Sequence, residues 1–120
     1  MTKRPIVLAA LAALLPLAAS AQDAPQLSLE QKTLVRCSAA FALAANLQES
    51  GDRSLGEIPD LRARGQEYFV RAMAALMDQA GLGREAVAVL LKAEVGELAE
   101  GDALAKAMPP CLVSLETSGL

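Results

Sequence analysis

The sequence predicts an all-α fold, a small bundle of about four helices with one disulfide, following a cleaved N-terminal signal peptide. Three observations lead there. The apolar content is 53%, yet the only aromatic rings are Phe41, Tyr68 and Phe69, so the core must be built from Ala, Leu, Val and Met. Ala and Leu lose little on entering a helix, and β-branched residues are few. Apolar residues recur at steps of three and four through most of the chain after residue 27. Finally, two cysteines, Cys37 and Cys111, stand near opposite ends of that stretch.

Residues 1–21 carry the parts of an export signal in order. Lys3 and Arg4 form a positive start, Ile6 through Ala19 an uncharged apolar run, and Ala19-Ser20-Ala21 the small-x-small pattern that a signal peptidase accepts. The run falls short of the roughly 20 apolar residues that span a bilayer, and Pro16 interrupts it. Cleavage after Ala21 leaves 99 of the 120 residues, from Gln22 to Leu120, which is enough for one domain. No cysteine follows the cleavage site to take a lipid, and no Asn-x-Ser/Thr acceptor is present. Together with the Ala-rich apolar run, these features point to a bacterial periplasmic protein, or one secreted beyond the periplasm.

Residues 22–27 contain Pro25 and no periodic pattern, and read as a flexible leader to a single helical domain over 28–120. Ser28 followed by Gln31 is a capping-box pattern, so the first helix starts there. Leu34, Cys37, Phe41 and Ala45 form its stripe, Val35, Ala39, Leu43 and Leu47 widen it, and Ser50-Gly51 ends it. An apolar face covering more than half the circumference makes this helix central.

Residues 50–59, with Gly51, Gly56 and Pro59, read as a surface loop. Asp60 caps a second helix in which Leu61, Tyr68 or Phe69, Ala72, Met73, Leu76, Met77 and Ala80 keep the period, until Gly81 stops it. Gly65 inside this helix costs about 1 kcal/mol relative to Ala, and close approach of another helix is the expected compensation. Gly83-Arg84-Glu85 opens a third helix with Val87, Leu90, Leu91, Val95 and Leu98 on one face, forming a tight hairpin with the second. A fourth begins near Asp102. Pro109-Pro110 is expected to break or redirect it, with a last short helix from Pro110 through Leu115.

Two cysteines allow one intramolecular pairing, and an oxidising compartment favours it. In the chain-entropy view a Cys37–Cys111 bond contributes about 4 kcal/mol. A redox-active pair normally sits in a Cys-x-x-Cys turn, which this spacing is not.

Loss of Lys3 and Arg4 with the signal leaves 9 basic against 14 acidic residues, taking the net charge from −3 to −5. That sign, with no basic cluster to offset it, argues against nucleic acid as a partner. The chain has no histidine, which removes the usual general base, the partner of nucleophilic Ser or Cys, and the commonest zinc ligand. Gly-x-Ser-x-Gly, phosphate-loop and calcium-loop patterns are also missing. No cofactor is implied, and no catalytic or metal-ligating residue is assigned. Glu94, Glu97 and Glu100 form the one acidic cluster, read as the solvated face opposite Leu91, Val95 and Leu98.

The second helix is the expected interaction surface, through Tyr68, Phe69, Met73 and Met77, since Met adapts to several partner shapes and one of the two adjacent rings must lie outside the core. The leading expectation is therefore a non-enzymatic binding or accessory protein whose partner is an envelope protein, with no membrane span in the mature chain. A second reading is a stress-linked holdase, similar in size, compartment and cysteine count, though in no motif, to the small helical one-disulfide periplasmic acid-stress chaperones. A third is an enzyme working through carboxylates or a metal at Glu94, Glu97 and Glu100.

Overall fold

The computed structural model describes residues 26–120; the export signal at 1–21 and residues 22–25 of the leader lie outside the described residues. Four helices follow in order, α1 (Leu29–Glu49), α2 (Leu61–Ala80), α3 (Arg84–Leu98) and α4 (Ala103–Thr117), with no strand among the described residues. None of these helices is long and apolar enough to cross a membrane.

The capping box sets the start of α1. The Gln31 N–H donates to Ser28 Oγ at 3.1 Å, and the Ser28 N–H donates to Gln31 Oε1 at 3.0 Å, so two orphan donors are satisfied reciprocally. Residues 37 to 41 are all buried, which no single helical stripe produces. α1 is indeed central and packs against α2, α3 and α4. Cys37 and Phe41 of the expected stripe, with Val35 and Ala39 of its widened part, lie inside, whereas Leu34, Leu43, Ala45 and Leu47 are half-buried and Ala40 and Ala44 join the core. The reason is that three neighbours cover three sides, and small alanines let them come close.

The loop at 50–59 is fastened to the end of α1 by one side chain. Gln48 Nε2 donates to the Pro59 carbonyl at 2.8 Å and Gln48 Oε1 accepts from the Leu61 N–H at 2.9 Å. Asp60 caps α2, accepting from the Arg62 N–H at 3.0 Å. Inside α2 the expected close approach is present: a Cβ on Gly65 would stand 3.1 Å from Phe41 Cβ and 3.4 Å from Leu61 Cβ. Gly81, at φ +65°, ends α2 in the left-handed conformation that favours glycine.

Only Gly81-Leu82-Gly83 separate α2 from α3, so the connection is as short as expected, yet α3 packs more broadly on α1 than on α2. Val87 and Leu98 are buried, while Leu90, Leu91 and Val95 are half-buried.

α4 departs from expectation. It runs unbroken through Pro109-Pro110, so the expected break and the separate last helix from Pro110 are corrected to one helix. A proline costs a helix about 3 kcal/mol by deleting a rung and crowding the carbonyl four residues back. Here both prolines are exposed, and so are Ala105 and Lys106, whose carbonyls lose their helical donors, so the lost rungs fall on the solvent side, where water can replace the missing donors. The opposite side carries Met108, Cys111 and Leu115, all buried, and burial at about 1.5–3 kcal/mol per large apolar side chain offsets the two lost rungs. Packing on α1 decides the path, and local propensity yields.

Candidate functional site

Cys37 and Cys111 are bonded, with their Cα atoms 5.1 Å apart, and tie α1 to α4. Both are buried, at 2% and 1% exposure, so no thiolate from solvent reaches either sulfur in the folded chain. The bond is a cross-link of the core.

The expected interaction surface divides into two parts. Tyr68 is buried, its ring edge-on to Phe41 with centroids 5.0 Å apart and planes at 84°. Its hydroxyl shares a hydrogen bond with Ser114 Oγ at 2.7 Å. Burial raises the phenol pKa above its ordinary value, against a smaller opposing effect of the Ser114 hydrogen bond. Met73 is buried as well. Phe69 and Met77 are half-buried and reach the surface. Phe69, Met73 and Met77 form an i, i+4 row, so the two accessible side chains flank a buried one along the same edge of α2.

Phe69 forms one wall of an apolar cleft of about 320 Å³ between α1 and α2, lined also by Phe41, Ala42, Ala45 and Gly65. The hollow exists because Ala and Gly stand between two large rings and leave space that a longer side chain would fill. Arg62 is at the rim, but its charge is engaged: Nε and Nη2 bind the two oxygens of Asp60 at 2.9 Å and 2.7 Å. The Arg62 side chain and then its N–H hold the Asp60 carboxyl down at about 2. The rim is thus close to neutral and the cleft floor hydrocarbon.

A second groove, of about 570 Å³, was not foreseen in the sequence. Its floor and walls bring together Leu43 and Leu47 of α1, Leu55 of the loop, Leu98 of α3 and Leu104 of α4. Five leucines from four segments share no local pattern, so only the tertiary fold can join them.

Two of the three acids, Glu97 and Glu100, are solvated as expected, and Glu94 is not. Glu94 is only 24% exposed in its side chain and accepts from Arg36 Nη1 of α1 at 3.2 Å, with Glu97 Oε2 at 3.9 Å from the same nitrogen. Glu100 lies past the end of α3 and is exposed. Among the described residues, no three of the potential metal-ligating side chains converge on a point. Glu94 thus bridges α3 to α1, with the exposed Glu97 at the outer edge of the same pair.

Comparisons of the chain with known protein families, with curated proteins and with solved structures found no match.

Proposed function

We propose that this chain is exported to the periplasm and acts there as a non-enzymatic binding or accessory protein of the cell envelope. The observation that carries the reading is the accessible edge of α2: Phe69, half-buried, walls an open apolar cleft and Met77, also half-buried, lies two turns further along the same edge, while their neighbours Tyr68 and Met73 complete the core. A domain this small gains most by burying such rings, so an exposed one on a well-packed helix is where a partner is expected to add contact area. The buried Cys37–Cys111 bond supports the compartment, since such bonds persist where thiols are oxidised. Arg36 engages Glu94 and Glu97, which leaves these acids poorly placed for general acid–base work.

Two measurements test it. N-terminal sequencing of the protein from the native envelope fraction should begin at Gln22, and recovery of a chain retaining Met1–Ala21 would overturn the export reading. An envelope protein captured by the immobilised mature chain should be lost with Phe69→Ser and with Met77→Ser, and retained with Val89→Ser, which alters an exposed side chain on α3. Equal retention by all three variants, each checked to melt as a folded protein, would reject this surface.

A further inference from the structure

α4 contains an interruption that its continuous path conceals. In an α-helix the N–H of residue i bonds the carbonyl of i−4, so Pro109 and Pro110 delete the rungs that would reach Ala105 and Lys106. These are consecutive rungs, and they leave Ala103–Met108 joined to Pro109–Thr117 by two rungs in place of four, those from the Cys111 and Leu112 N–H groups to the Ala107 and Met108 carbonyls. The two pieces are held very differently. The C-terminal piece carries the Cys111 cross-link to α1, the Ser114 hydrogen bond to Tyr68 of α2 at 2.7 Å, and Glu116 against Arg64 Nη2 of α2 at 3.0 Å. The N-terminal piece is held to the rest by apolar packing, with Ala107 and Met108 buried and Leu104 half-buried. Its one ion pair among the described residues, Lys106 with Asp102 at 3.2 Å, reaches only the N-cap of the same helix. Asp102 makes no side-chain cap to the helix, and Gly101 before it has φ +53°.

We propose that Ala103–Met108 is a hinged flap, pivoting at Gly101 and at the proline pair, over a base that the disulfide pins. Leu104 and Ala105 of this flap form one wall of the leucine-lined groove of about 570 Å³, opposite Leu43, Leu47 and Leu55. Opening the flap widens that groove and withdraws Ala107 and Met108 from the core, while the Cys37–Cys111 bond and the helices it joins stay in place. The position of Cys111 directly after the prolines confines the motion. The missing rungs lie on one side of the pin and the polar contacts to α2 on the other. This inference does not depend on the interaction surface at Phe69.

Amide hydrogen exchange on the oxidised mature chain tests it, because a sub-global opening unit exchanges faster than the structure around it. The amides of Ala107 and Met108 should exchange at least about tenfold faster than those of Leu115 and Glu116, whose helical acceptors, Cys111 and Leu112, lie in the C-terminal piece. In Pro109→Ala/Pro110→Ala, which restores both rungs, the gap should shrink severalfold. The single Pro109→Ala variant should lie between. In Cys37→Ala/Cys111→Ala the gap should also close, this time because the C-terminal piece speeds up. Similar exchange along the whole of α4 in the unaltered chain, or a gap that survives restoring both rungs, would overturn the proposal.

Discussion

Replacing Gly65 by alanine sets two effects of known sign against each other. In an open helix position the change gains about 0.5–1 kcal/mol, because alanine restricts the unfolded chain and favours the helix. At Gly65 the new methyl would stand 3.1 Å from Phe41 Cβ and 3.4 Å from Leu61 Cβ. The first distance is closer than ordinary carbon contact, and both neighbours are Cβ atoms held by helix backbone rather than the ends of flexible side chains. Relief therefore requires α1 and α2 to part by a few tenths of an ångström, disturbing the Phe41–Tyr68 contact, and overpacking of this kind costs about 1–3 kcal/mol. The cost wins, leaving the variant destabilised by about 0–2 kcal/mol. Gly96 of α3 is the internal control. Nothing lies within 4 Å of the position its Cβ would take, so Gly96→Ala keeps the whole propensity gain. The two variants make the same chemical change in helices of one chain and should differ by about 1–3 kcal/mol. In a domain of this size, that separates their thermal midpoints by roughly 4 °C or more. Urea unfolding with matched slopes reads it directly. If Gly65→Ala stabilised as much as Gly96→Ala, close helix packing at Phe41 would be wrong.

Removing the cross-link by Cys37→Ala, Cys111→Ala or both should lower stability by a similar amount in all three variants, about 4–5 kcal/mol for a separation of 74 residues, since either change deletes the whole bond. Clearly unequal losses that add in the double variant would count against one shared bond. Ser38 is fully buried and its hydroxyl has no hydrogen-bond partner among the described residues, so Ser38→Ala should raise the urea midpoint, with a gain of about 1–3 kcal/mol from removing an unsatisfied group. A loss would imply a partner for that hydroxyl. Tyr68 is the chain's only tyrosine and no tryptophan is present, so an ultraviolet titration reads this one phenol. Its folded pKa is raised, mainly by burial. The neutral phenol's contribution is therefore complete below the unfolded pKa near 10 and lost as pH rises through the higher folded value. The native midpoint should exceed that in denaturant, and coincident midpoints would contradict a buried ring. At the acidic end, the Asp60 carboxyl is held at about 2, so its contribution is complete above the ordinary carboxylate value near 4 and is lost as pH falls from there through about 2. Asp60→Asn, which keeps the cap acceptor without the charge, should flatten that acid limb of the melting curve.

Much of the architecture is determined by local sequence, because helix ends are set by chemistry within a few residues. Ser28 with Gln31, Asp60 and Gly81 mark their boundaries through caps that any helix of this composition needs. The number of helices, the central place of α1, the close approach at Gly65 and the single possible disulfide pairing follow from period, composition and counting. What depends on packing could not be read that way. Pro109 and Pro110 argue locally for a break, and only the burial of Met108, Cys111 and Leu115 against the core carries α4 through them. Tyr68 and Phe69 are equivalent in pattern, and the ring of Phe41 with the hydroxyl of Ser114 decides which one enters the core. Glu94 looks like a solvated acid on its own helix until α1 brings Arg36 to it. The leucine groove is assembled from four segments. In each case the deciding partner is distant in sequence, and its effect exists only once the helices are side by side.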